Sequence, residues 1–145
     1  MKTRVLLVDD EEEFVQALSE RLTMREYDVT TSLRGEDAVE KVRDFNFDVV
    51  VLDVSMPGMN GVETLREVKR LKPLTEVIML TGHATVDSAI DGMKLGALDY
   101  LMKPCETEEL ITKINKAHDR KVEHEQRIRD AKVKDIISSP RSALK

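Results

Sequence analysis

Residues 49–53 read Val49-Val50-Val51-Leu52-Asp53, an uninterrupted apolar run that ends in a carboxylate. Similar short runs lie at Val5–Val8, Val77–Leu80 and Tyr100–Met102, and a weaker one lies at Val29–Thr31. Apart from the weak run, the apolar residues are continuous and do not alternate with polar ones. This pattern is typical of strands whose two faces are both covered by helices, so it predicts a parallel sheet.

Between these runs, apolar residues recur at the spacing of amphipathic helices. The stripes are Phe14, Val15, Leu18 and Leu22; Ala38, Val39 and Val42; Val62, Leu65 and Val68; Val86, Ala89, Ile90 and Met93; and Leu110, Ile111 and Ile114. The order of strands and helices predicts an α/β fold, (βα)5, with right-handed crossovers. The sheet would be the middle of three layers, α, β and α. In such sheets the ligand site lies beyond the carboxyl ends of the strands.

Composition narrows the class of protein. The chain has 145 residues, a formal net charge of −5 and a single cysteine, Cys105, which we expect to serve in packing. One cysteine excludes an internal disulfide and a CxxC metal or redox pair, which fits a cytoplasmic location. No apolar run approaches the length of a membrane span. The acidic balance and the few aromatic residues argue against a direct nucleic-acid surface.

The charge pattern changes after about residue 117, where bases outnumber acids. We therefore predict one domain over residues 1–117 and a charged helical extension of the fifth helix over 118–145, with a frayed end after Pro140. A heptad seam could run from Leu110 through Ile114 to Ala131, but Lys121 and His124 would interrupt it. A solvated charged helix is the simpler expectation, and it leaves His118 and His124 in solvent.

Acidic side chains follow two of the predicted strands. Asp9 and Asp10 come after the first strand and Asp53 after the third, so adjacent parallel strands would bring their carboxylates to one edge. Mutual repulsion would then favour a bound cation, and hard oxygen ligands select Mg²⁺ or a similar ion such as Mn²⁺. The acids at 11–13 have a simpler explanation, because acidic residues commonly cap a helix N-terminus.

The two remaining strand ends carry a hydroxyl and an ammonium, Thr81 and Lys103. A carboxylate, a hydroxyl, a lysine and a metal cluster together favour a phosphoryl site. At such a site Asp53 would attack the phosphorus atom in line, while the metal ion and the lysine neutralise the phosphoryl oxygens. Each residue alone is weakly diagnostic, since a threonine often caps a helix and a lysine is usually solvated. Their placement at successive strand ends carries the hypothesis.

With these residues in view, residues 3–117 resemble the receiver domain of bacterial two-component response regulators, and most closely the NtrC-type receivers. The matching motifs are Val8-Asp9-Asp10, Leu52-Asp53, Met56-Pro57-Gly58-Met59-Asn60-Gly61, Thr81-Gly82-His83-Ala84 and Asp99-Tyr100-Leu101-Met102-Lys103-Pro104. The resemblance implies a flavodoxin-like, doubly wound sheet with strand order 2-1-3-4-5. It also implies phosphorelay signal transduction, with a sensor histidine kinase or phosphotransfer protein as partner.

The same resemblance implies a role for each matching residue. Asp53 would be the phosphoacceptor, forming an aspartyl phosphate. Asp10, Asp53 and the backbone carbonyl of Ser55 would bind Mg²⁺ (or Mn²⁺), and Asp9 would act through water. Lys103 would pair with the phosphoryl oxygens.

By the same resemblance, further residues would govern the conformational switch and the lifetime of the phosphorylated state. Thr81 would bind the phosphoryl group while Tyr100 moves from an exposed to a buried position. Ser55 and His83 would tune the turnover of the phosphoryl group. The histidine at position 83 departs from the small or acidic residue that many members of the family have there. The peptide bond before Pro104 would be cis by resemblance, although an ordinary turn would be trans.

Other functions compete with this interpretation. A flavodoxin-type electron carrier is disfavoured because the acids after the first strand would repel a flavin phosphate. A dehalogenase-type hydrolase needs a second aspartate where this chain has Ser55. We therefore expect no enzymatic activity beyond the phosphorylation and dephosphorylation of the domain's own aspartate. A phosphorylation-independent binding module and the receiver of a transcription factor lacking its output domain stay open. The downstream target is unknown, and a homodimer is expected through the face from Thr85 to Ala117.

Overall fold

The computed structural model describes residues 1–54, 60–82 and 86–138. Strands and helices alternate within it. They are β1 (Arg4–Val8), α1 (Glu12–Met24), β2 (Asp28–Ser32), α2 (Gly35–Asp44), β3 (Val49–Leu52), α3 (Gly61–Leu71), β4 (Glu76–Thr81), α4 (Val86–Lys94), β5 (Asp99–Met102) and α5 (Thr107–Ser138). None of the helices in these ranges has an apolar stretch long enough to cross a bilayer.

The five strands form one parallel sheet in the order β2-β1-β3-β4-β5. This confirms the predicted fold class and strand order. Consecutive parallel strands need a crossover connection, and the four helices α1 to α4 supply the four crossovers. All five strands therefore end at the same edge of the sheet.

Two apolar cores cover the sheet, one on each face. Along β1, Val5 and Leu7 belong to the core beneath α1 and α5, whereas Leu6 and Val8 belong to the core beneath α2 and α3. All four side chains are essentially inaccessible to solvent. This two-sided burial explains why the strands read as continuous apolar runs. Cys105 packs against the first core, which confirms its expected packing role.

Helix α3 begins just after the acidic edge. The side chain of Asn60 accepts a hydrogen bond from the backbone N–H of Glu63 at 3.0 Å and so caps the helix. The Gly61 N–H donates to the Val54 carbonyl at 2.9 Å, which places the start of α3 beside Asp53. An Asn-Gly pair suits such a tight helix start.

Helix α5 continues past the body of the domain and contacts the amino-terminal ends of the strands. The Lys121 ammonium lies 3.2 Å from the Asp48 carboxylate, and His124 Nδ1 lies 4.0 Å from the carboxylate of Glu76. His124 keeps 31% of its side chain exposed, and the rest is shielded because this turn lies beside the base of the sheet. Lys121 and His124, the residues that interrupt the possible heptad seam, face acidic groups of their own chain.

Candidate functional site at the carboxyl edge of the sheet

The register of β1 and β3 brings two aspartates together. Val8 pairs with Leu52, so Asp9 and Asp53 are the next residues on neighbouring strands. The Asp53 N–H donates to the Val8 carbonyl at 2.9 Å, and the Asp9 N–H donates to the Ser32 carbonyl at 3.1 Å. These bonds continue the ladder past the strand ends and hold both carboxylates at one edge.

Asp10 completes a group of three carboxylates. One oxygen from each of Asp9, Asp10 and Asp53 lies within 4.8 Å of the others. Asp9 is 1% exposed and Asp53 is 5% exposed, whereas Asp10 faces solvent. Partly buried carboxylates at this spacing repel one another, and three hard oxygen donors match the ligand preference of Mg²⁺. The donor set therefore fits a divalent metal with access from solvent.

Lys103 provides the positive charge in this cluster. It directly follows β5, and its Nζ donates to the Asp9 carboxylate. The same Nζ lies 3.1 Å from Glu11 Oε1 and 3.9 Å from Asp53 Oδ2. The ring of Phe14 lies below the ammonium, with its centroid 4.3 Å away. A cation–π contact of this kind favours the ammonium near the ring face.

Burial and charge act in opposite directions on Lys103. Burial disfavours the ammonium and would lower its pKa, but the hydrogen bond and charge of Asp9, with contributions from Glu11 and Asp53, outweigh it and raise the pKa of Lys103 above its ordinary value. The lysine is therefore a fixed positive charge at physiological pH, and it offsets part of the repulsion among the aspartates.

Glu11 has a different role from the expected one. It occupies the N-cap position of α1, but its side chain makes no capping hydrogen bond. The Glu11 carboxylate pairs with Lys103 instead. The Glu11 N–H itself donates to Asp9 Oδ1 at 3.0 Å.

The other predicted site residues are distributed around this edge. Thr81 ends β4 opposite Met102, the residue before Lys103. Tyr100 is 41% exposed. The peptide bond before Pro104 is cis, the isomer that the resemblance implied. Ser55 and His83 lie outside the described residues.

The sequence identifies the protein family. The sequence model of the response regulator receiver domain matches residues 5–115. The chain belongs to this family. The described receiver domain carries the family's fold together with the acidic edge described above.

Curated relatives of this receiver domain include transcriptional regulators. The transcriptional regulatory protein ZraR of Escherichia coli is 38% identical over 113 residues, which are 78% of this chain and 26% of ZraR. The regulatory protein AtoC of the same organism is 34% identical over 107 residues, 74% of this chain and 23% of AtoC. The chain thus spans about a quarter of the length of these relatives.

A solved structure has the same architecture. A CheY-like receiver domain protein from Methanospirillum hungatei superimposes with a TM-score of 0.83 at 27% identity. The match covers 86% of this chain and 99% of that one. The similarity therefore extends over the whole of a known receiver structure.

Sequence reasoning missed two residues of the receiver's site, Glu11 and Phe14. Both contact Lys103, which lies about ninety residues away in the chain. Glu11 was assigned to helix capping and Phe14 to the apolar stripe of α1. Each role is an ordinary one for that residue type, so neither residue called for a second explanation. The available signal was their position in the first turn of α1, which begins at the acidic edge.

Proposed function

We propose that Asp53 of this receiver domain accepts a phosphoryl group from a phosphohistidine of a sensor histidine kinase or phosphotransfer protein. The observation that carries the proposal is the position of the Asp53 carboxylate. It lies 3.9 Å from the Lys103 ammonium and within one group with Asp9 and Asp10. A nucleophile, a cation and two further metal-ligating side chains thus share one edge.

The transfer is a simple displacement at phosphorus. A carboxylate oxygen of Asp53 attacks, the new O–P bond forms, and the N–P bond of the phosphohistidine breaks. The released nitrogen keeps the electron pair of the broken N–P bond and takes a proton from water, which gives the neutral imidazole. Lys103 can follow the phosphoryl oxygens by a small movement of its ammonium, which stabilises their charge.

The metal-binding part of the proposal assigns Mg²⁺, or Mn²⁺, to Asp10, Asp53 and the backbone carbonyl of Ser55, with Asp9 acting through water. The bound ion would neutralise phosphoryl oxygens during transfer. The oxygen-only donor set of the described aspartates supports this choice. In the unphosphorylated chain, Asp9 holds Lys103 and so keeps the lysine beside the reacting carboxylate.

The switch itself is assigned to Thr81 and Tyr100. Thr81 would bind the phosphoryl group, and Tyr100, now 41% exposed, would turn inward. Ser55 and His83 would set the lifetime of the phosphorylated state by limiting water access. We infer no separate substrate, so the domain would promote only its own phosphorylation and dephosphorylation.

The output surface is proposed to be the face from Thr85 to Ala117. Among its described residues, four large apolar side chains are at least two-fifths exposed: Ile90, Met93, Tyr100 and Met102. Such a patch suits a homodimer or a downstream target. The names and lengths of ZraR and AtoC support an alternative, in which this receiver controls a transcriptional output domain of a longer regulator. A histidine kinase donor would place the reaction in the cytoplasm.

Intact-mass measurement after incubation with acetyl phosphate and Mg²⁺ tests the proposal. We expect a phosphoryl adduct that requires Mg²⁺, disappears with EDTA and is absent from Asp53→Asn. Asp44→Asn removes an exposed carboxylate at the end of α2 and should retain the adduct. If neither acetyl phosphate nor a histidine kinase phosphorylates the wild-type chain, a phosphorylation-independent binding module replaces the proposal.

A further inference from the structure

Glu11 occupies a helix-capping position, but its side chain pairs with Lys103. A side chain at the N-cap usually accepts a hydrogen bond from a backbone N–H of the first turn. Glu11 makes no such bond, and its carboxylate lies 3.1 Å from Lys103 Nζ. The contact joins the start of α1 to the loop after β5, so it forms only in the folded domain.

Glu11 competes with Asp53 for the same ammonium. Lys103 Nζ lies 0.8 Å closer to Glu11 than to Asp53, at 3.1 Å against 3.9 Å. A lysine ammonium has three N–H donors, and Asp9 and Glu11 each accept one of them. A phosphoryl group on Asp53 offers several acceptor oxygens, and by leaving Glu11 the ammonium gains a second donor to direct toward them.

We propose that Glu11 is a positioning residue that holds Lys103 away from Asp53 in the unphosphorylated domain and releases it when a phosphoryl group binds. This inference rests on the proposed function of Asp53. The contact with Asp9 persists during the exchange and keeps Lys103 at the site. Glu11 therefore opposes phosphorylation without removing the lysine that supports it.

Phe14 makes the exchange possible. Its ring centroid lies 4.3 Å from Lys103 Nζ, one helical turn after Glu11. The face of an aromatic ring attracts a cation without fixing a single hydrogen-bond direction. The ammonium can thus move between two acceptors while it stays over the ring.

The exposure of Glu11 sets the size of the effect. Its side chain is 65% exposed, whereas that of Lys103 is 12% exposed. Ion pairs with one solvent-exposed partner are weak, so removing the Glu11 charge should change rates by about two- to fivefold. The direction is toward faster phosphorylation and tighter binding of a phosphoryl mimic.

The test compares Glu11→Gln with Glu12→Gln. Glu12 is an exposed acid in the same helical turn and makes no ion pair with any described residue, so it controls for net charge and for the helix N-terminus. Two quantities are measured at saturating Mg²⁺: the rate of adduct formation from acetyl phosphate, and the affinity for beryllofluoride. The same pair of substitutions is then made in a Lys103→Met background.

The inference is supported if Glu11→Gln raises the rate and the beryllofluoride affinity about two- to fivefold, Glu12→Gln does neither, and the difference vanishes in Lys103→Met. Equal behaviour of the two glutamine variants, with a normal wild-type adduct, overturns the inference and leaves the proposed function intact. An effect of Glu11→Gln that persists in Lys103→Met also overturns it. A wild-type chain that takes no phosphoryl group overturns the proposed function and this inference together.

Discussion

Gly61 packs so closely on Asp53 that a β-carbon at residue 61 would lie 2.3 Å from the Asp53 carbonyl oxygen. The same β-carbon would lie 2.4 Å from the α-carbon of Val54. Both neighbours are backbone atoms and cannot move aside as a flexible side chain could. The first residue of α3 therefore has to be glycine if the backbone at Asp53 is to keep its place.

Gly61→Ala should lower the free energy of unfolding by about 2 kcal/mol, because overpacking against backbone forces a local shift. It should also slow phosphorylation, since the shift acts on the backbone of Asp53. Urea unfolding and adduct formation from acetyl phosphate measure the two effects. Gly82→Ala is the control, because a β-carbon there would have its nearest contact at 3.9 Å. Equal stability of the two variants would contradict the steric explanation.

Lys103→Met should destabilise the metal-free domain by about 3 kcal/mol. The substitution leaves Asp9 and Asp53, both nearly inaccessible, without the ammonium that offsets their repulsion. Mg²⁺ should recover more stability in this variant than in the wild-type chain, because the ion replaces the lost charge. Urea unfolding with and without Mg²⁺ makes the comparison.

Lys113→Met provides the control for the lysine experiment. It removes the ion pair with Asp99, which involves none of the three clustered aspartates. We expect Mg²⁺ to stabilise this variant no more than the wild-type chain. An equal response to Mg²⁺ in both methionine variants would count against a metal site next to Lys103.

Asp99 should make the stability of the domain depend on pH in the acid range. Burial would raise the pKa of Asp99, but the hydrogen bond from Lys113, the backbone N–H of Tyr100 and the charge of Lys113 outweigh it and lower the pKa below its ordinary 3.8. The unfolded chain therefore binds the proton more readily. The stabilisation is present above the ordinary pKa and is lost as the pH falls through the folded pKa.

Asp99→Asn tests this pH dependence, since the amide oxygen can still accept the Tyr100 N–H. The variant should be less stable than the wild-type chain by up to about 1 kcal/mol near neutral pH, and the difference should shrink as the pH falls below the ordinary pKa of 3.8. Urea unfolding across this range is the measurement. A difference that stays constant with pH would show that the Asp99 charge does not contribute.

Lys121 should anchor the extension of α5 to the base of the sheet. Its side chain is 14% exposed and pairs with Asp48 at 3.2 Å. Lys121→Ala should accelerate amide hydrogen exchange in the following turns of α5 and cost about 1 kcal/mol, because a partly buried charge loses its partner. Arg127→Ala, which breaks an exposed ion pair with Glu123, should leave exchange nearer the wild-type rate. The anchor is refuted if both variants exchange alike.

Met102 should contribute to self-association if the apolar output face forms a homodimer. Met102 is 50% exposed and lies on β5 near Tyr100. Met102→Lys should weaken dimerisation of the phosphorylated domain at least about fivefold, as measured by sedimentation velocity. Phe45→Lys is the control, because Phe45 is 62% exposed but follows α2. A monomer before and after phosphorylation would exclude the dimer.

The parallel sheet and the edge at which its acidic strand ends lie were both predictable from local patterns, whereas the strand order came from the family resemblance. Continuous apolar runs such as Val49–Leu52 predict strands that are buried on both faces, and the intervening helices make the sheet parallel. Parallel strands end at one edge, so Asp9 and Asp53 had to approach each other wherever the two strands became neighbours. This reasoning needs only the periodicity of side chains along each element. It does not need the direction of any particular side chain.

Contacts between distant segments depend on how the elements pack. Glu11 is an ordinary helix-capping acid in the sequence, but the position of β5 brings Lys103 to its carboxylate. His124 is an ordinary exposed residue of a charged helix, but α5 passes the base of the sheet beside Glu76. The sequence by itself determined which segments form strands and that their acidic ends lie at one edge of the sheet, because these follow from short-range periodicity. Only the tertiary structure decided which partner each charged side chain takes, because that choice depends on distances between residues far apart in the chain.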